Sequence, residues 1–97
     1  MTDSGTMGAE KMPEICRFFH IIIRMYAKEH APPHFHAFYG DHEAVFSILN
    51  GKLMEGKLPK KQERLVTAWA AIYKKELLTN WGSLTSGKGF NKIDPLN

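Results

Sequence analysis

The amino-acid sequence predicts an α+β fold: a small antiparallel sheet of about four to five strands, joined as hairpins in a meander, packed against one long C-terminal helix. Three observations predict this fold. Apolar and other residues alternate through the first half of the chain, as in half-buried strands. Short turn signals that contain glycine separate these strands. In the second half, apolar residues recur every three or four positions, as in an amphipathic helix.

The length and composition predict one globular domain in a reducing compartment. The chain has 97 residues, of which 1–11 are small and polar and are expected to form a disordered N-terminal extension to a single domain over 12–97. One cysteine, Cys16, excludes an internal disulfide and a thiolate zinc cluster. The apolar run from Phe18 to Ile23 is too short to cross a bilayer, and no signal peptide precedes it. A cytoplasmic location is therefore predicted.

The first strand region spans residues 15–26, where alternate positions are apolar. A bend near Phe19-His20 can split this run into two strands. The loop that follows, over 27–33, contains Pro32 and Pro33, which cannot donate hydrogen bonds to a sheet ladder. We therefore expect two strands followed by a stiff loop.

The central hairpin is predicted by Gly40-Asp41, because a type II′ turn requires glycine at its first central position. This turn joins a strand over residues 34–39 to a returning strand over 42–49. Asn50-Gly51 predicts a second tight hairpin, of type I′, leading into a short strand over 52–55.

The first hairpin decides which side chains share a face, because strand side chains alternate. If Tyr39 pairs with His42, the core face carries Phe35, Ala37, Ala44, Phe46 and Ile48. The other face carries His34, His36, Glu43 and Ser47, together with Phe38 and Val45. We expect this second face to be uncovered and within reach of a ligand.

The long helix is predicted from Pro59, which suits a first helical turn, to about Ser86, before the terminating Gly87. Its apolar stripe should pack on the sheet and comprises Leu65, Val66, Trp69, Ile72, Tyr73, Leu77, Trp81 and Leu84. Residues 88–97 are expected to form a packed extended segment.

The densest chemical feature is the run from His30 to His36, in which His34 and His36 project from one strand face. The pair could act as acid and base in metal-independent RNA cleavage, with His30 assisting, because histidine titrates near neutral pH. The pair could instead bind a metal ion with His30 or Glu43, or simply occupy a half-exposed face. Glu29 could orient an imidazole or face water.

A second candidate feature is basic and lies mainly around the start of the predicted helix. The positive end of the helix dipole makes lysines unfavourable there unless an anion is bound. The formal net charge of +3 permits such a partner without requiring one. The set predicts either a phosphate or nucleic-acid site or a solvated basic end, and comprises Arg24, Lys57, Lys60, Lys61 and Arg64.

Several segments together resemble the signature of a bacterial family known as domain of unknown function 4160. They are residues 19–26, 30–36, 39–40, 55–59, the helix from 64 to 81, and 92–96. The resemblance covers about Met12 to Leu96. It marks signature positions without giving them roles, namely His30, Pro32, Pro33, His34, His36, Gly40, Lys57, Pro59 and Trp81.

The resemblance implies one component of a bacterial two-gene module of toxin–antitoxin type. Its partner would be a small protein of the domain of unknown function 2442 type. Three hypotheses follow: an effector that acts on or binds RNA, a non-enzymatic module that binds the small partner, or a histidine-based metal-binding domain. No cofactor is predicted for the first two.

Overall fold

The computed structural model describes residues 13–97, so the predicted extension over 1–11 lies outside the described residues. Five strands form one antiparallel sheet in chain order, and two helices follow. The elements are β1 (Glu14–Phe18), β2 (Ile21–Arg24), β3 (His34–Tyr39), β4 (His42–Ser47), β5 (Leu53–Gly56), α1 (Lys60–Ile72) and α2 (Lys74–Thr85). The α+β class and the sheet are confirmed.

The predicted bend at Phe19-His20 separates β1 from β2. Both residues have positive φ, 50° and 65°, and Phe18 pairs with Ile21 across the turn. The turn moves Phe19 out of the strand pattern, so its ring is 53% exposed rather than on the apolar face. Bulky residues adopt this left-handed conformation at a cost of about 1–2 kcal/mol each.

The predicted register of the β3–β4 hairpin is confirmed. Tyr39 pairs with His42 and His34 with Ser47, and Gly40 has the positive φ, 57°, that the first turn position requires. The core face is therefore as expected, and its four β3 and β4 residues are fully buried: Phe35, Ala37, Ala44 and Phe46.

The predicted two-residue turn at Asn50-Gly51 is wrong. A type I′ turn needs positive φ at both residues, but only Gly51 has it, at 74°. Strand β4 instead ends at Ser47 and β5 begins at Leu53, which leaves a loop longer than two residues. Side chains close this loop: Asn50 Oδ1 accepts from the Lys52 amide at 2.9 Å, and Ser47 Oγ accepts from the Asn50 amide at 3.3 Å.

The apolar face of the sheet packs on α1 mainly through Trp69. Its indole is fully buried, 5.9 Å from the ring of Phe35 and 5.4 Å from the ring of Phe18 between centroids. Val66 and Ala70 of α1 are buried beside it. Because strand side chains alternate, β3 presents His34 and His36 on the side away from α1.

The prediction of one long helix is wrong, because the chain breaks at Tyr73 (φ −107°, ψ 26°). An unbroken helix over 59–86 would be about 40 Å long, whereas six-residue strands span about 20 Å. The break lets α2 fold back and bury its own residues, among them Leu77, and it leaves Ile72 62% exposed. Neither helix is long and apolar enough for a membrane-spanning segment, within residues 13–97.

The C-terminal residues form the expected packed extended segment. The Trp69 indole N–H donates to the Asp94 carbonyl at 2.8 Å. The Asn80 side chain donates to the Asn91 carbonyl at 2.8 Å and accepts from the Asn91 amide at 2.9 Å. Ile93 is buried, and its amide donates to a β1 carbonyl. This segment therefore ties both helices to the edge of the sheet.

Candidate functional site

Three ionisable side chains meet on the face of the sheet away from α1. We call Glu29, His34 and His36 the polar cluster. Nε2 of His34 lies 2.5 Å from Glu29 Oε1, and Nε2 of His36 lies 3.0 Å from the same oxygen. The histidines come from β3, where a spacing of two residues places them side by side. Glu29 comes from the loop between β2 and β3, so one carboxylate oxygen is shared by two imidazoles.

The Nδ1 atom of each imidazole, the ring nitrogen that does not face Glu29, also has a hydrogen-bond partner. Nδ1 of His34 lies 2.7 Å from the Pro32 carbonyl oxygen, and Nδ1 of His36 lies 3.4 Å from Glu43 Oε2. A carbonyl oxygen only accepts, so Nδ1 of His34 carries a proton and donates it. These contacts fix the direction in which each ring presents Nε2.

The two imidazoles are covered, so the expectation that they lie on an open face is wrong. Each histidine is only 9% exposed. The ring of Tyr26 stacks on His36 at 4.3 Å and 8°, and Trp81 of α2 lies 5.0 Å from His34. The side chain of Glu29 is 28% exposed, and access to the cluster is therefore over the carboxylate.

The cluster favours an ionised carboxylate. Burial opposes ionisation of Glu29, but the hydrogen bonds that His34 and His36 donate when their Nε2 atoms are protonated outweigh it and hold the pKa of this carboxyl below its ordinary value. Burial, with the charges of Glu43 and Glu29, raises the pKa of the Tyr26 hydroxyl. The Tyr26 hydroxyl therefore stays neutral near these acidic side chains.

The third predicted histidine lies outside the polar cluster. His30 is exposed, and the residue before it, Glu29, turns inward instead. Arg24 is the cross-strand partner of His36, so these two side chains share a face, and Arg24 also lies 4.0 Å from Glu14.

The predicted basic set is divided between the two sides of the sheet. Lys60, Lys61 and Arg64 are exposed on α1, the helix that covers the apolar face. The backbone amide of Lys57 donates to the carbonyl of Glu43, and Arg24 shares the face of His36. The structure therefore does not gather the four residues from 57 to 64 around the imidazoles.

Sequence reasoning gave Glu29 only a possible orienting role and gave Tyr26 and the Pro32 carbonyl none. Glu29 lies in an irregular loop, where no period indicates the direction of a side chain. The one available signal was a carboxylate close in sequence to two histidines across a proline-containing loop, a spacing that allows the loop to fold back.

Comparison with known proteins identifies the family. The family model described as Domain of unknown function (DUF4160) matches residues 21–82, well over half of the 97 residues. The matched part includes the whole polar cluster and Trp81. No curated protein and no solved structure matches the chain. The chain therefore belongs to the DUF4160 family, a domain of unknown function.

Proposed function

We propose that the protein is a component of a bacterial two-gene module of toxin–antitoxin type that acts on RNA, with the polar cluster as its reactive centre. The observation that carries this proposal is the convergence of two imidazole Nε2 atoms on one carboxylate oxygen of Glu29. The setting in a two-gene module comes from the family resemblance.

The energetics of the cluster support a functional role. Burying ionisable groups costs free energy that their mutual attraction recovers only in part. The apolar core on the other face supplies the packing that holds the sheet together. Two buried imidazoles that share a partly exposed carboxylate are therefore more typical of a reactive or binding centre than of a stability device.

The chemistry of RNA cleavage fits the groups that are present. Cleavage needs a group that takes a proton from the attacking oxygen, a group that gives a proton to the leaving oxygen, and groups that stabilise charge on the phosphate. The ionised Glu29 can take the first proton, and the adjacent imidazole of His34 or His36 can give one to the leaving oxygen. Arg24, on the same face as His36, is a candidate for stabilising the phosphate charge.

The test is inducible expression of the chain in a bacterium, with growth and total RNA integrity measured together. We expect growth arrest and RNA fragmentation that His34→Ala, His36→Ala and Glu29→Gln relieve. The matched control is His30→Ala, since this imidazole is exposed and outside the cluster. Coexpression with the small partner protein should restore growth.

Two outcomes would contradict the proposal. Arrest that persists unchanged in all three cluster variants eliminates the polar cluster as the reactive centre. Intact RNA and normal growth, together with a stoichiometric complex with the partner, would instead identify a non-enzymatic protein-interaction module.

A further inference from the structure

Contacts at Nδ1 orient both imidazoles of the polar cluster, so that their Nε2 atoms converge on Glu29. The Pro32 carbonyl fixes the proton of His34 on Nδ1, and the Glu43 carboxylate favours the same tautomer of His36. In neutral rings of this tautomer, each Nε2 carries a lone pair. Both lone pairs point at the Glu29 oxygen, which is itself an electron-pair donor.

Three electron-pair donors, the two Nε2 atoms and the carboxylate oxygen, repel one another at such close distance unless a cation lies among them. Protons on the nitrogens or one divalent ion can serve as that cation, and a single divalent ion satisfies all three electron-pair donors at once. Histidine ligands in metal sites are usually arranged in this way: one ring N–H donates a hydrogen bond to a carbonyl or carboxylate, and the other ring nitrogen coordinates the metal.

We propose that Glu29, His34 and His36 form a three-ligand site for a divalent transition-metal ion of the zinc type. Donor atoms of the three residues all lie within 4.8 Å of one another. Two imidazoles and one carboxylate suit zinc and its neighbours in the first transition row, whereas magnesium and calcium prefer oxygen ligands alone. With three donors from residues 13–97, one position is left for water or substrate, as in catalytic zinc sites.

The fit to such an ion requires a small movement of one ligand. Zinc bonds of about 2.0–2.2 Å place tetrahedral donors roughly 3.3–3.5 Å apart. The two Nε2 to Oε1 distances, 2.5 and 3.0 Å, are shorter, so the carboxylate must move outward by about 0.5–1 Å. Glu29 is free to do so because it is partly exposed on a loop, while Tyr26 and Trp81 hold the imidazoles.

This inference rests on the proposed function only for the position of the site. With the ion bound, Glu29 would be a ligand rather than the proton acceptor, and the ion would lower the pKa of a coordinated water so that this water supplies the attacking group for hydrolysis. The ion itself can be measured without any assay of RNA.

The test is zinc binding by the full 97-residue chain, produced without a histidine tag. Calorimetric titration with zinc chloride and the absorption spectrum of bound Co²⁺ should both give one ion per chain. Glu29→Gln, His34→Ala and His36→Ala should each weaken binding on the order of 100-fold, and Glu43→Gln about 10-fold, since residues that orient ligands typically contribute 10–100-fold. His30→Ala is the matched control and should bind as tightly as the wild type.

Less than half an ion per chain, or an equal loss of affinity in His30→Ala, overturns the metal site. Circular dichroism of each variant checks that it is folded. If a histidine variant unfolds, Glu29→Gln still tests the site, because it alters only a partly exposed side chain on a loop. Zinc binding without growth arrest or RNA cleavage supports the metal site and refutes the proposed function. Cluster-dependent arrest without zinc binding does the reverse.

Discussion

The attachment of the C-terminal segment through Asn80 gives a prediction that the structure makes quantitative. Asn80 is 2% exposed, and its amide group makes two hydrogen bonds to the backbone of Asn91. In Asn80→Ala both bonds are lost, at about 0.5–1.5 kcal/mol each. The small void that remains adds roughly 1 kcal/mol. We therefore expect the free energy of unfolding to fall by about 2–4 kcal/mol, or a Tm decrease of about 10–30 °C.

The structure supplies a matched control for this change. Asn91 bonds to Asn80 only through its backbone amide and carbonyl, and Asn91 is exposed. Asn91→Ala keeps these backbone groups and should therefore change the free energy of unfolding by less than about 0.5 kcal/mol. Urea unfolding of both variants, followed by circular dichroism, measures the difference. A loss below about 0.5 kcal/mol in Asn80→Ala, or equal losses in the two variants, would refute the reasoning.

Three further predictions test the sheet, the core and the metal site. Gly56→Ala should lower the free energy of unfolding, measured in urea, by about 3 kcal/mol or more, because the added Cβ would lie 2.1 Å from the Glu43 carbonyl oxygen. Gly51→Ala is the control, since Gly51 has a similar φ but open space around it, and should cost only about 1 kcal/mol. Equal costs would contradict the close approach at Gly56. The Cys16 thiol, whose pKa is raised by burial, should react with a disulfide reagent only as fast as the protein unfolds; rapid reaction in native buffer would contradict that burial. Zinc at 100 times its dissociation constant should add about 2.7 kcal/mol of stability in thermal unfolding. At the same zinc concentration Glu29→Gln, with its roughly 100-fold weaker binding, should gain only about 0.4 kcal/mol. An equal gain in the variant would argue against Glu29 as a ligand.

The position of the polar cluster connects the fold to its proposed chemistry. His34 and His36 stand on a central strand, a rigid support, while Glu29 stands on a loop that can move. Tyr26 and Trp81 cover the rings and lower the local dielectric, which strengthens each electrostatic contact with the carboxylate. The arrangement therefore combines two fixed donors with one adjustable donor, which suits the proposed metal site.

The strand order and the register of the central hairpin could be predicted because they depend on local signals. Gly40 can adopt positive φ at little cost, and the alternation of residues then decides which side chains are buried. The same local reasoning failed at Asn50-Gly51, where the side chains of Ser47 and Asn50 hydrogen-bond to the backbone and lengthen the loop. Side-chain to backbone bonds of this kind compete with the turn that the dipeptide favours.

The sequence by itself determined the α+β class, the shared face of His34 and His36, and the apolar face opposite them, because a period of two residues is a property of any strand. Only the tertiary structure decided that the helix breaks at Tyr73, that Trp81 covers His34, and that Glu29 rather than His30 completes the cluster. These outcomes depend on how a loop and a second helix fold back onto the sheet. No local period encodes that path, since it is set by which distant groups the chain brings into contact.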